Sequence, residues 1–195
     1  MAASLCHRCH RPDWHDKAGG GAGVHYLASR LPRAWVRRMQ TPFLRALLRI
    51  LNDLPLHLSV ETVEDAALTL HALLSMCNST RPREGEDAAA VEPFEVEQAQ
   101  LHEVVALLCA QLHSPQAVVR ENVEQALTDL AGYRAVSMFE LTASCRDELV
   151  RSLVAVPPHT LTATAQTGVL DALAFCMAAR PPLLTSWTPN LESAL

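Results

Sequence analysis

Near the amino terminus stands Cys6-His7-Arg8-Cys9-His10, two thiols and two imidazoles in five positions. The run fits the C-x-x-C-H pattern of covalent haem attachment and supplies half of a zinc site. Haem would need an axial partner and an apolar cage around the porphyrin, and no such element is recognisable nearby. Zinc would draw on Cys6, Cys9, His15 and His25, in a C-x2-C-x5-H-x9-H arrangement. A closed structural site takes four nitrogen or sulfur ligands in a tetrahedron, but this spacing lacks the H-x3-5-H half of a finger. The sequence therefore leads to an expectation of no cofactor and no resident metal, with these four residues the weak candidates.

A second constellation is basic. Arg30, Arg33, Arg37, Arg38, Arg45 and Arg49, with Trp35 among them, offer the forked cations and the indole that could meet nucleic-acid phosphates and stack on a base. The simpler account, the solvated face of a first helix turned toward the acidic half of a neighbour, is preferred, with contact to an anion or a partner as the other role open to these six arginines. A third group, Cys109, His113 and Ser114, places a nucleophile near a base, but no G-x-S-x-G elbow surrounds it. Ser114 before Pro115 reads instead as a helix start. Walker loops, Rossmann fingerprints and H-E-x-x-H are absent from the sequence, so no catalytic residue and no enzyme activity are expected.

These side chains need elements to hold them, and composition limits what those are. Of the 195 residues 49% are apolar but only 5% aromatic, so a core must be built from Leu, Ala and Val, a mixture that suits helices packed on helices. Glycine after residue 23 is confined to Gly85, Gly132 and Gly168, too few for the turns of a strand-rich fold. The net charge of −5 hides a division at residue 50: nine basic against two acidic residues before it, seven against nineteen after it. No apolar run approaches the roughly 18 to 20 residues of a membrane span. The first residues lack the apolar core of a secretory signal, and Asp13 and Asp16 weaken a transit-peptide reading. Cys77, Cys109, Cys145 and Cys176 fall one per expected helix within apolar stripes, as reduced cysteines do.

Residues 1–28, with Gly19-Gly20-Gly21-Ala22-Gly23 and no apolar period, read as a disordered Cys/His/Gly-rich tail. From residue 29 helical spacing takes over. One helix opens near Pro42 and carries Phe43, Leu47, Ile50 and Leu54 on a stripe; the next carries Val60, Val63, Ala67, Leu70, Leu74 and Cys77. Residues 79–93 hold two prolines, a glycine and four acids, which marks an acidic loop. Beyond it two helices flank His113-Ser114-Pro115, the second expected to stop at Gly132. Two more flank Pro157-Pro158 and stop before Pro181-Pro182. Three helix pairs start near residues 42, 94 and 137, at a period close to that of HEAT and armadillo units.

The stretch HSPQAVVRENVEQALTDL, His113 to Leu130, resembles the second half of a HEAT repeat. Val119, Val123, Ala126, Leu127 and Leu130 stand where that family places inward residues, and the resemblance implies that Arg120 pairs with an acid nearby, Asp129 or Glu124. The stretch GVLDALAFCMAARPPLL, Gly168 to Leu184, looks like part of the HEAT solenoid of the TRRAP family, the transformation/transcription domain-associated pseudokinases. The resemblance covers under a tenth of the chain and implies a segment of a scaffold that carries histone acetyltransferases to chromatin and meets transcriptional activators. The tail and the short length depart from that family.

The expectation is an all-α solenoid of about three HEAT-like pairs over 29–195 behind a tail. It would be a non-catalytic protein-interaction scaffold in the nucleus, with a cytoplasmic location as the alternative. Its partners would be subunits of a large complex and transcription activators, and none a membrane. An array of repeats leaves apolar faces at its ends when capping repeats are missing. The alternative is a small zinc-dependent or nucleic-acid-binding helical protein that uses the tail and the arginines.

Overall fold

The computed structural model describes residues 1–53, 60–79, 98–155 and 157–178. Among them all regular structure is helical: α1 (Ala2–Cys9), α2 (Trp14–Arg30), α3 (Arg33–Arg38), α4 (Gln40–Asp53), α5 (Val60–Asn78), α6 (Gln98–Cys109), α7 (Ala117–Arg134), α8 (Met138–Ala155) and α9 (Ala163–Ala178), with a single 3-10 turn at Pro158–Thr160.

The apolar stripes fix the packing. Phe43, Leu47 and Ile50 of α4, Leu70 and Leu74 of α5, and Val119, Val123, Ala126, Leu127 and Leu130 of α7 are fully buried. Removing one such large side chain from water contributes about 1.5 to 3 kcal/mol. Each helix then has two kinds of neighbour, its pair-mate and the equivalent helix of the next pair. Helices α1, α4, α6 and α8 follow one another in one layer, α2, α5 and α7 in the second, and α9 packs on α8. The short α3 links the first two pairs and touches α5. This is the all-α solenoid that the stripes call for.

The pairs among the described residues number four, because residues 1–28 are not a loose tail. Asp13 caps α2 by accepting from the backbone N–H of His15 (2.7 Å) and of Asp16 (3.3 Å). Cys9 and Val24 are fully buried, and Leu27 and Ala28 nearly so. At Gly20 a Cβ would lie 2.6 Å from Cys9 Sγ and 3.0 Å from the Leu5 carbonyl, and at Gly23 it would lie 2.6 Å from Leu5 Cδ2. The glycine run that read as flexible is thus the surface on which α1 lies, close enough that side chains are excluded. Lys17 is only 2% exposed. Its Nζ donates to the carbonyl of Cys9 and to Asp53 Oδ2, each at 3.0 Å, so one ammonium closes the end of α1 and ties the first pair to α4.

Two helix ends differ from expectation. Gly132 lies inside α7, which runs on to Arg134 and ends at Ala135 in the left-handed region (φ 52°). The N–H of Val136 donates to the Ala131 carbonyl and that of Ala135 to the Gly132 carbonyl, the hydrogen-bond pattern of a Schellman stop. Pro115 sits in the turn before α7 rather than in its first residues. Ser137 and Glu140 form a reciprocal cap at the start of α8: Glu140 Oε2 accepts from the Ser137 N–H at 2.9 Å, and Ser137 Oγ from the Glu140 N–H at 3.2 Å. Leu54, the acidic loop from residue 80 onward and Pro181-Pro182 lie outside the described residues.

Candidate functional site

The four metal candidates are not brought together. Cys9 Sγ is buried and donates to the Leu5 carbonyl at 3.4 Å. His25 Nδ1 meets Thr69 Oγ1 on α5 at 3.1 Å, and His15 lies against the Trp14 ring. Burial raises the Cys6 thiol and, with the nearby Cys6 thiol adding to burial, pushes Cys9 up to about 11, away from the thiolate that a metal requires. No group of three or more His, Cys, Asp or Glu among the described residues could hold a metal ion. The physical reason is helix α1 itself, which turns Cys9 into the core against Gly20.

The arginines do not form one basic face either. Arg33 Nη1 donates to the Ser79 carbonyl at 3.3 Å and Arg37 Nε to that of Cys77 at 3.2 Å; both cations close the carbonyl end of α5. Arg45 pairs with Glu103 of α6 at 2.9 Å and Arg49 with Asp53 at 2.6 Å. Arg30 lies 6.0 Å from the centre of the Tyr26 ring, and Arg38 borders a shallow groove with Cys6, His10 and Glu103. Trp35 packs on Phe43 with ring centres 6.0 Å apart. Arg33, Arg37 and Arg45 thus hold helices to one another, while Arg30 and Arg49 meet residues of their own helices.

Of the Cys109, His113 and Ser114 group, Ser114 joins a polar seam. Ser114 Oγ donates to Asn52 Oδ1 at 3.0 Å and accepts from the Gln116 N–H at 3.3 Å, while Asn52 Nδ2 donates to Gln111 Oε1 at 2.7 Å. Gln116 Nε2 also reaches the Asn52 carbonyl. This polar seam joins the end of α4 to the turn between α6 and α7. Sequence reading missed it, because Asn52, Gln111 and Gln116 share no spacing.

The expected partner of Arg120 is corrected. Its Nε donates to Asp171 Oδ2 on α9 at 2.9 Å and its Nη1 to the Ser114 carbonyl at 2.8 Å. Asp129 lies nine residues on, half a turn round the helix, and meets His71 of α5 at 3.2 Å instead. Glu124 stays a neighbour: its carboxyl is raised by burial and by Asp171, and Arg120 opposes that shift. Gly168 makes the Arg120–Asp171 contact accessible, since a Cβ there would lie 2.6 Å from the carbonyl oxygens of both His113 and Ser114. Helix α9 therefore rides directly on the turn before α7, and Asp171, one turn later, reaches Arg120. Beyond this junction Val154, Leu170 and Met177 stay exposed on α8 and α9.

A two-layer stack of helix pairs, locked by an arginine that crosses to the next pair, offers long surfaces. The sequence matches the family described as the Tra1 HEAT repeat ring region over residues 1–191. The chain belongs to this family. The match starts at residue 1, so the Cys/His segment falls inside the matched region. The human transformation/transcription domain-associated protein is 31% identical over 184 residues, which cover 93% of this chain, and the zebrafish protein of that name is 30% identical over the same length. The fission yeast subunit Tra1, named for the SAGA complex and the NuA4 acetyltransferase complex, is 24% identical over 192 residues. The chain spans about 5% of the length of these relatives.

Proposed function

We propose that this chain is a non-catalytic segment of a Tra1-type scaffold and acts by binding other proteins within a transcription coactivator assembly of the acetyltransferase class. The match to the HEAT ring region over 1–191 carries the reading. The solenoid supports it, because stacked pairs leave long faces open on both sides of the array, and the exposed Val154, Leu170 and Met177 suit a further protein surface. The name of the fission yeast relative gives the class of complex, and a nuclear location follows from that class.

The internal pairing of Arg33, Arg37, Arg45 and Arg49 weighs against the nucleic-acid alternative, and the separation of Cys6, Cys9, His15 and His25 weighs against the zinc one. Affinity capture from nuclear extract with the tagged chain, read by mass spectrometry, tests the proposal. Recovery of acetyltransferase-complex subunits is expected. Their absence, beside salt-sensitive recovery of nucleic acid, would overturn it. Circular dichroism unchanged by chelator is expected as well.

A further inference from the structure

Two thiols far apart in the sequence meet between α6 and α8. Cys109 Sγ and Cys145 Sγ are 3.2 Å apart, and both are free. A disulfide needs about 2.05 Å between the sulfurs, so closure asks for an approach of little more than an ångström. Cys109 is buried, whereas Cys145 is partly exposed on α8. We propose that Cys109 and Cys145 form a reversible, peroxide-sensitive thiol pair that bridges neighbouring helix pairs of the solenoid.

The two sulfurs have different roles. When Cys145 ionises, the Cys109 S–H donates to it. That hydrogen bond lowers the Cys145 thiol against the opposing effect of its partial burial, and adjacent Arg146 adds to the lowering. The same contact, together with burial, holds Cys109 protonated. A solvent-reachable sulfur with more thiolate character is the one that an oxidant meets first. The Cys145 thiolate attacks a hydroperoxide: an S–O bond forms, the O–O bond breaks, sulfur is oxidised to sulfenic acid, and the leaving oxygen takes a proton to become an alcohol or water. The Cys109 sulfur then attacks Cys145: the S–S bond forms, the S–O bond breaks, and hydroxide leaves with the Cys109 proton as water. Exchange with a small thiol restores the pair.

The conspicuous pair, Cys6 and Cys9, is poorer in thiolate because burial raises both thiols, Cys9 to about 11. The test exposes the reduced, folded full chain to stoichiometric hydrogen peroxide, blocks free thiols with N-ethylmaleimide and maps tryptic peptides. Cleavage at Arg120 and Arg134 puts the two cysteines on separate peptides. Expected are a Cys109–Cys145 linked peptide that dithiothreitol removes, and an intact mass lower by two hydrogen atoms. In Cys109→Ser, Cys145 should instead be trapped by dimedone as sulfenic acid. Both thiols still alkylated after peroxide, or Cys6–Cys9 or Cys176 linked in their place, would overturn the proposal. The wild-type measurement suffices even where a variant misfolds.

Discussion

The α1–α2 pair and the α6–α7 pair occupy equivalent places in the two layers, yet they are held by opposite means. In α7 a stripe of Val119, Val123, Leu127 and Leu130 is buried without remainder, and removal of apolar area from water does most of the work. In α2 the contact surface is Gly20 and Gly23, which let α1 lie against the backbone, and the lock is the buried ammonium of Lys17. Glycine inside a helix costs about 1 kcal/mol relative to alanine, so α2 with four glycines is weak alone and depends on α1 and α5 for its helicity. A repeat can therefore be built from close approach rather than side-chain bulk, and such a repeat resembles a linker when read as text.

Four substitutions test that contrast. Leu127→Ala removes a fully buried side chain of α7 and should cost about 4 kcal/mol, seen as a lowered midpoint of the whole chain in urea. Gly20→Val forces carbon onto Cys9 Sγ and the α1 backbone and should cost about 3 kcal/mol. Hydrogen exchange should show the loss concentrated in residues 2–30, with α6 and α7 still protected; uniform exchange throughout would erase the distinction between the two pairs.

Lys17→Met keeps the length of the side chain but removes the hydrogen bonds to the Cys9 carbonyl and Asp53. Asp53 retains Arg49, so a loss of about 2 kcal/mol is expected, again local to the first pair by hydrogen exchange. The smallest effect has the opposite sign: Ala135→Gly relieves the left-handed φ of 52° at the end of α7 and should stabilise by about 0.5 to 1 kcal/mol. A destabilised protein in thermal melts would show that Ala135 contributes packing that outweighs its backbone strain.

The cysteines repeat the contrast on the scale of a site. Cys6 and Cys9 are conspicuous because they are three residues apart, yet helix α1 turns Cys9 into the core. Cys109 and Cys145 are 36 residues apart in sequence and 3.2 Å apart in space. Spacing along a chain reports on sites within one element, and says little about sulfurs that meet where two helices pack. The same reason hid the Arg120–Asp171 contact, although Arg120 and Gly168 were both conspicuous in the sequence.

The sequence by itself determined the helical class and the positions of α4 to α9. A Leu- and Val-rich stripe at a period of 3.6 residues has one efficient way to leave water, and proline marks the breaks between such stripes. It also carried the HEAT-type texture of His113–Leu130 and the TRRAP-like texture from Gly168 onward. Only the tertiary structure decided that residues 2–30 form the first pair, that Arg120 crosses to Asp171, and that Cys109 meets Cys145. Each of these depends on backbones or side chains from different helices at close range, a property of how helices pack and not of the order of residues within any one of them.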